Sequence, residues 1–97
     1  MSTLHVLSHS PFGDDRLASC LRVLGGEDAL LLCGDATYAL QPDTAPFAWL
    51  QSAGLKLFAL AEDVQARGLQ APDWAKAIDY PAFVELSIQH DKVNTWL

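Results

Sequence analysis

The sequence predicts an α/β fold, a single three-layer sandwich with a mostly parallel sheet between helices. Three observations carry that expectation. Short apolar runs of strand type alternate with helix-start signals along the whole chain. One run, Ala29 to Cys33, is apolar without interruption between Glu27-Asp28 and Gly34-Asp35, as a strand covered on both faces requires. No repeat, low-complexity tract or linker divides the 97 residues, so one domain over 1–97 is expected to hold one core.

Leu4 to Leu7 reads as the first strand and Ser8 to Gly13 as a loop. Asp14 or Asp15 caps a helix to about Leu24, ended by Gly25-Gly26. After the Ala29–Cys33 strand, Thr37 to Leu40 reads as a weaker strand or the start of a turn. Thr44, with Pro46 just behind it, opens a second helix to about Ala53, closed by Gly54. Leu55 to Leu60 is a strand. Glu62-Asp63 begin a short helix ending at Arg67-Gly68, acids first and base last as the helix dipole prefers. Ala75 to Ile78 is a further strand. Beyond it, Asp79 with Pro81 signals a helix start, and Tyr80, Phe83, Val84, Ser87 and Ile88 fall on one helical face. The alternation of Val84, Leu86 and Ile88 with polar residues would also suit a strand; helix is the expectation. A last strand runs into Trp96-Leu97, with Val93, Thr95 and Leu97 on one side and Asn94 and Trp96 on the other. An apolar ending of that kind should be docked, in the core or on a partner.

The composition is 51% hydrophobic and 19% charged, against a usual charged share of about 25%. Part of that apolar excess is expected at an interface. The net charge is −6, and the six bases are scattered, so no basic stripe exists to follow a phosphate backbone. Direct nucleic-acid binding is not expected. The first residues lack the charged start and long apolar run of a signal peptide, and the longest apolar run is far too short to span a bilayer. Two cysteines without a secretory signal suggest a reducing cytoplasm.

Cys20 is the first candidate for chemistry. It lies beside the Leu17–Leu21–Leu24 stripe of the first helix, with Arg16 at i−4 to favour a thiolate, yet a small apolar filler needs no chemistry there. Cys33 follows a Leu-Leu-Leu run at the carboxyl end of a strand, where ligands of open α/β sheets gather; packing explains it equally well. The thirteen-residue spacing of the two thiols is neither a CxxC nor a zinc pattern, so no metal is implied. Ser8-His9-Ser10 lies between strand and helix, but without a glycine-rich fingerprint and beside Asp14-Asp15, which would repel a phosphate; no cofactor is implied. His9 and His90 have no local triad partner. Asp14, Asp15, Glu62 and Asp63 read as helix-start acids. Trp49, Trp74, Tyr80, Phe83 and Trp96 divide between core and a partner surface.

Taken together, Leu4-His5-Val6-Leu7 with Ser10-Pro11, Asp28 to Leu32, Phe58-Ala59-Leu60 with Glu62-Asp63-Val64, Ala66 to Leu69, and the closing Ile78-Asp79-Tyr80, Phe83-Val84, His90-Asp91, Val93 and Trp96-Leu97 resemble the DsrH/TusB family of sulfur-relay proteins. The resemblance covers nearly the whole chain. It implies a DsrE/F/H-like fold and a cytoplasmic subunit of a three-protein sulfurtransferase complex, a dimer of heterotrimers with two paralogous partners, DsrE/TusD-like and DsrF/TusC-like. Such complexes pass persulfide sulfur to a downstream acceptor. One branch serves 2-thiolation of the wobble uridine of tRNA, taken here as the expected one, and the other serves sulfur oxidation. The principal persulfide cysteine of these complexes lies on another subunit. Some DsrH-type members carry a cysteine in the first helix, a position Cys20 matches, which makes it the candidate persulfide carrier. The family's usual Asp-Gly after the second strand is Asp35-Ala36 here, which puts that turn in question. The rival reading is a self-associating small α/β protein with a ligand near Ser8-His9-Ser10.

Overall fold

Strands and helices alternate in the computed structural model, which describes residues 2–96. In chain order they are β1 (Thr3–Leu7), α1 (Arg16–Val23), β2 (Ala29–Leu32), a 3-10 helix (Gly34–Leu40), α2 (Ala45–Ala53), β3 (Lys56–Leu60), α3 (Ala61–Ala66), β4 (Lys76–Ile78), α4 (Tyr80–Gln89) and β5 (Lys92–Trp96). The sheet runs β4-β3-β2-β1-β5, and all four pairings are parallel.

Strand order decides the layers. From β1 to β4 the chain steps outward in one direction, so right-handed crossovers put α1, α2 and α3 on one face. The return from β4 to β5 runs the opposite way and puts α4 on the other. Side chains alternate accordingly. Leu7, Leu30, Leu32, Leu57 and Ala59 meet Leu17 and Cys20 of α1, Leu40, Leu50 of α2 and Val64 of α3. Leu4, Val6, Ala29, Leu31 and Ile78 meet Phe58, Ala82, Phe83 and Leu86. Both layers flank the sheet, as the sequence predicts.

Local chemistry explains the helix ends. Thr44 and Gly54 bound α2, with Pro46 in its first turn and Gly54 left-handed at φ 64°. Asp79 caps α4 by accepting the Ala82 N–H at 3.0 Å, which resolves the ambiguous segment as helix.

Three expectations need correction. Thr37 to Leu40 is neither strand nor simple turn but the second half of the 3-10 helix. Gly34 starts that helix at φ 53°, and Thr37 Oγ1 donates to the Gly34 carbonyl at 2.7 Å, closing the tight turn from within. The positive φ is therefore at Gly34, and Ala36, 2% exposed, needs none. Cys20 lies at the centre of the buried face of α1, not beside it, with Leu21 and Leu24 only partly buried. On α4, Phe83 turns inward with Ala82 and Leu86, while Tyr80, Val84 and Ile88 stay exposed. The expected face over Leu97 lies outside the described residues; Asn94 and Trp96 share a side, as expected, level with His5 and Leu7.

Leu31, fully buried in β2, and Ile88, 77% exposed on α4, should respond differently to truncation. Leu31→Ala is expected to cost about 2–5 kcal/mol of unfolding free energy, as large-to-small core changes do. Ile88→Ala is expected to stay within about 0.5 kcal/mol, as surface changes do. Urea unfolding midpoints compare the two.

Candidate functional site

The two thiols occupy different depths. Cys20 has no exposed surface, and its thiol is pushed up to about 12, first by burial and then by the nearby Asp28 charge. The thiolate support expected from Arg16 is outweighed; that guanidinium is engaged by Asp14, which also accepts the Arg16 N–H at 2.9 Å. Cys33 is half-buried just past β2, with its sulfur 3.5 Å from the Leu7 carbonyl oxygen. Burial and then Asp63 raise its thiol, and Arg67 opposes them. In this arrangement neither cysteine is poised as a nucleophilic thiolate.

Around Cys33, at the carboxyl end of the sheet, a polar cluster ties α3 to the 3-10 helix. Asp63 accepts the Gly34 N–H at 2.8 Å, so it does more than begin its helix. Arg67 Nη2 donates to Asp35 Oδ1 at 2.9 Å, its guanidinium lies 5.7 Å from the Tyr38 ring centre, and Nη1 donates to the Asp63 carbonyl at 3.2 Å. The Asp35 bond, first of all, holds Arg67 protonated above its usual range. A cavity of about 420 Å³ opens beside Arg67, Tyr38, Pro42 and Gln70.

The remaining candidates are apart from this cluster. Ser10 shapes its own loop, accepting the Phe12 N–H, and His9 is exposed. None of Ser8, His9 and Ser10 lines the Arg67 cavity or the cavities of about 340 and 200 Å³ elsewhere. His90 Nδ1 lies 2.8 Å from the Leu86 carbonyl oxygen at the end of α4. Asp15 holds the N-cap position of α1 without a side-chain bond, and Glu62 is exposed. Trp74 packs edge-on against Phe47 at 5.1 Å and joins the core, while Trp49 and Tyr80 are exposed. Trp96 is half-buried and packs against the core on the α1 side of the sheet.

Sequence reasoning missed His5. It is 5% exposed on β1, with Nε2 3.4 Å from Asp28 Oδ2 and Nδ1 accepting from the Trp96 indole at 3.1 Å. A histidine inside an otherwise apolar strand was the available signal. Asp28 also accepts the N–H groups of Gly25, at 2.9 Å, and Thr3, at 3.0 Å. The Gly25 bond, then those of Thr3 and His5, hold its carboxyl below the usual range against burial.

The fold matches the crystal structure of the ychN protein of E. coli with a TM-score of 0.76, over 99% of this chain and 100% of that one, at 18% identity. The chain thus shares the α/β fold of that protein. The family described as DsrH like protein matches residues 9–93. The TusB protein of an Enterobacter species is 38% identical, and that of Yersinia enterocolitica 37%, each over 95 residues that cover 96% of this chain and 99% of the relative. The chain belongs to the DsrH-like family, as its sequence suggested. Among the described residues, no helix is long and apolar enough to cross a membrane.

Two measurements follow from this geometry. Under native conditions a maleimide should label Cys33 well before Cys20, with Cys20 reacting only as the chain unfolds; peptide mass mapping reads the order. Asp28, depressed in the fold, contributes stability above its unfolded value that is lost as pH falls through its folded value. Asp28→Asn is therefore expected to lower stability at pH 7 and to flatten the acid loss below about pH 4, measured by urea midpoints.

Proposed function

We propose that this chain is a docking subunit of a cytoplasmic sulfur-relay complex whose persulfide is carried on a partner. Membership of the DsrH-like family and its TusB relatives support the sulfur-relay role. The observation that carries the docking role is the contrast between a fully buried Cys20 and the outer face of α4, which leaves Tyr80, Val84 and Ile88 exposed, at 59%, 44% and 77%. The proposed partners are two paralogous subunits, DsrE/TusD-like and DsrF/TusC-like, in a heterohexamer. The proposed end product is the 2-thiolated wobble uridine of tRNA, reached through a separate sulfur acceptor.

The chemistry demands little of this subunit. In persulfide transfer an acceptor thiolate attacks the outer sulfur of the donor persulfide. A new S–S bond forms as the donor's breaks, the donor leaves as a thiolate, and neither net oxidation nor net proton uptake occurs. The acceptor must be ionised and accessible, and the burial of Cys20 and its raised thiol weigh against that role. What the subunit supplies instead is surface that positions the partners' thiols and excludes small ones.

Co-expression with the two paralogous subunits tests this reading. The chain should co-purify with both, Cys20→Ser should assemble unchanged, and Ile88→Asp should weaken assembly at least about tenfold if the α4 face is an anchor. A chain that stays monomeric beside those partners overturns the docking role. A gain of one sulfur atom on Cys20 after incubation with a persulfide donor overturns the assignment of sulfur to the partner alone.

A further inference from the structure

Strand β5 is an edge strand, and four of its five residues are exposed. Backbone pairing to β1 holds it, Asp91 before its start accepts the Ser2 N–H at 2.8 Å, and near its end Trp96 Nε1–H donates to His5 Nδ1. An indole N–H can only donate, so His5 Nδ1 must present a lone pair. The proton of the neutral ring then sits on Nε2, facing Asp28 Oδ2 at 3.4 Å. A second proton has one place to go, Nδ1, where it meets the indole N–H. We propose that His5 is a proton-operated latch for β5: the neutral ring accepts the Trp96 indole and holds the end of the strand, and the imidazolium releases it while staying attached to Asp28.

The groups around the ring set what moves. Asp28 faces it from the turn before β2, and the neighbouring Glu27 is exposed. From α1, Cys20 feels the same Asp28 charge. Lys92 shares the Trp96 side of β5, level with Thr3, and Lys56 of β3 lines the cavity that Asp28 borders. Asp28 faces the Nε2 side at 3.4 Å and keeps the charged ring seated. Trp96 loses its acceptor at the same moment. The two effects act on opposite nitrogens, so protonation leaves the Asp28 side in place and loosens only the Trp96 end of β5. The backbone ladder to β1 and the Asp91–Ser2 anchor stay in place, so the loosening is confined to the Trp96 end of the strand.

Two-dimensional proton–nitrogen spectra of the full chain, recorded from about pH 8 to pH 5 where histidine changes charge, test the latch. The Trp96 indole signal is expected to lose its hydrogen-bonded shift on acidification, while those of Trp49 and Trp74 and the protected amides of β2 and β3 hold. In His5→Asn an amide oxygen near the Nδ1 position accepts without titrating, so the Trp96 signal should stay constant. Ring nitrogen shifts of His5 in the unchanged chain need no variant to fold, and should report the Nε2–H tautomer at high pH. An Nδ1–H tautomer, a Trp96 signal that ignores pH, or the same pH response in His5→Asn would each overturn the proposal.

Discussion

A parallel pair of strands needs a crossover connection, and the right-handedness of crossovers makes the covered face a matter of the direction of travel. That constraint shapes everything else in this chain. Three connections step the same way, from β1 out to β4, and load one face of the sheet with α1, the 3-10 helix, α2 and α3. A single connection returns, so ten residues of α4 cover the other face alone. The first face is thick, with Leu17, Cys20, Leu40 and Leu50 nearly or wholly removed from water. The second is thin: Leu4 and Leu31 are fully buried beneath α4, yet α4 itself has no fully buried residue.

The reversal at β1 also creates the polar anchors. β1 is the strand where the order turns, and it must bind β2 on one side and β5 on the other. Asp28, in the turn before β2, reaches back to the Thr3 and Gly25 N–H groups and to His5. One carboxylate thus closes the α1–β2 turn and fixes the start of β1. A charge so placed is kept ionised by the N–H groups it accepts, which offset the cost of partial burial. At the other end of the sheet Asp63 does comparable work for Gly34, where the 3-10 helix leaves the strand. Both carboxylates lie near a thiol, and both raise it.

Much of the fold was legible because local and global signals agree. The unbroken Ala29 to Leu32 run forms a central strand, buried throughout, and Thr44, Pro46 and Gly54 bound α2 where turn chemistry puts them. Asp79 decided an ambiguous segment, because its carboxylate caps a helix and has no such role in a strand. Other features depend on what the sheet brings together. Thr37 to Leu40 carries strand-like residues, but Gly34 bends the chain at φ 53° and Asp63, 29 positions away, fixes the bend. Periodicity placed Phe83 on the apolar stripe of α4 but could not tell that it turns inward with Ala82 and Leu86 while Tyr80, Val84 and Ile88 stay exposed. His5 escaped notice for a similar reason: its partners, 23 and 91 positions away, are invisible to local pattern.

The site followed the same logic, and its chemistry turns on electrostatics that spacing could not supply. Arg16 at i−4 from Cys20 suggests an activated thiol, but helix position says nothing of Asp14, which engages the guanidinium, or of Asp28, whose charge raises the thiol. Cys33 has a favourable cation in Arg67, yet Asp35 and Asp63 share that cation and Asp63 also opposes the thiolate directly. An acidic chain of net charge −6 is a poor place to stabilise a sulfur anion unless a base is dedicated to it. Here the bases near the thiols are committed to carboxylates. The exposed apolar residues Tyr80, Val84 and Ile88 of α4 contrast with that acidic surface. Sulfur chemistry needs a site where a thiolate can be kept, and the surroundings of both thiols here work against one.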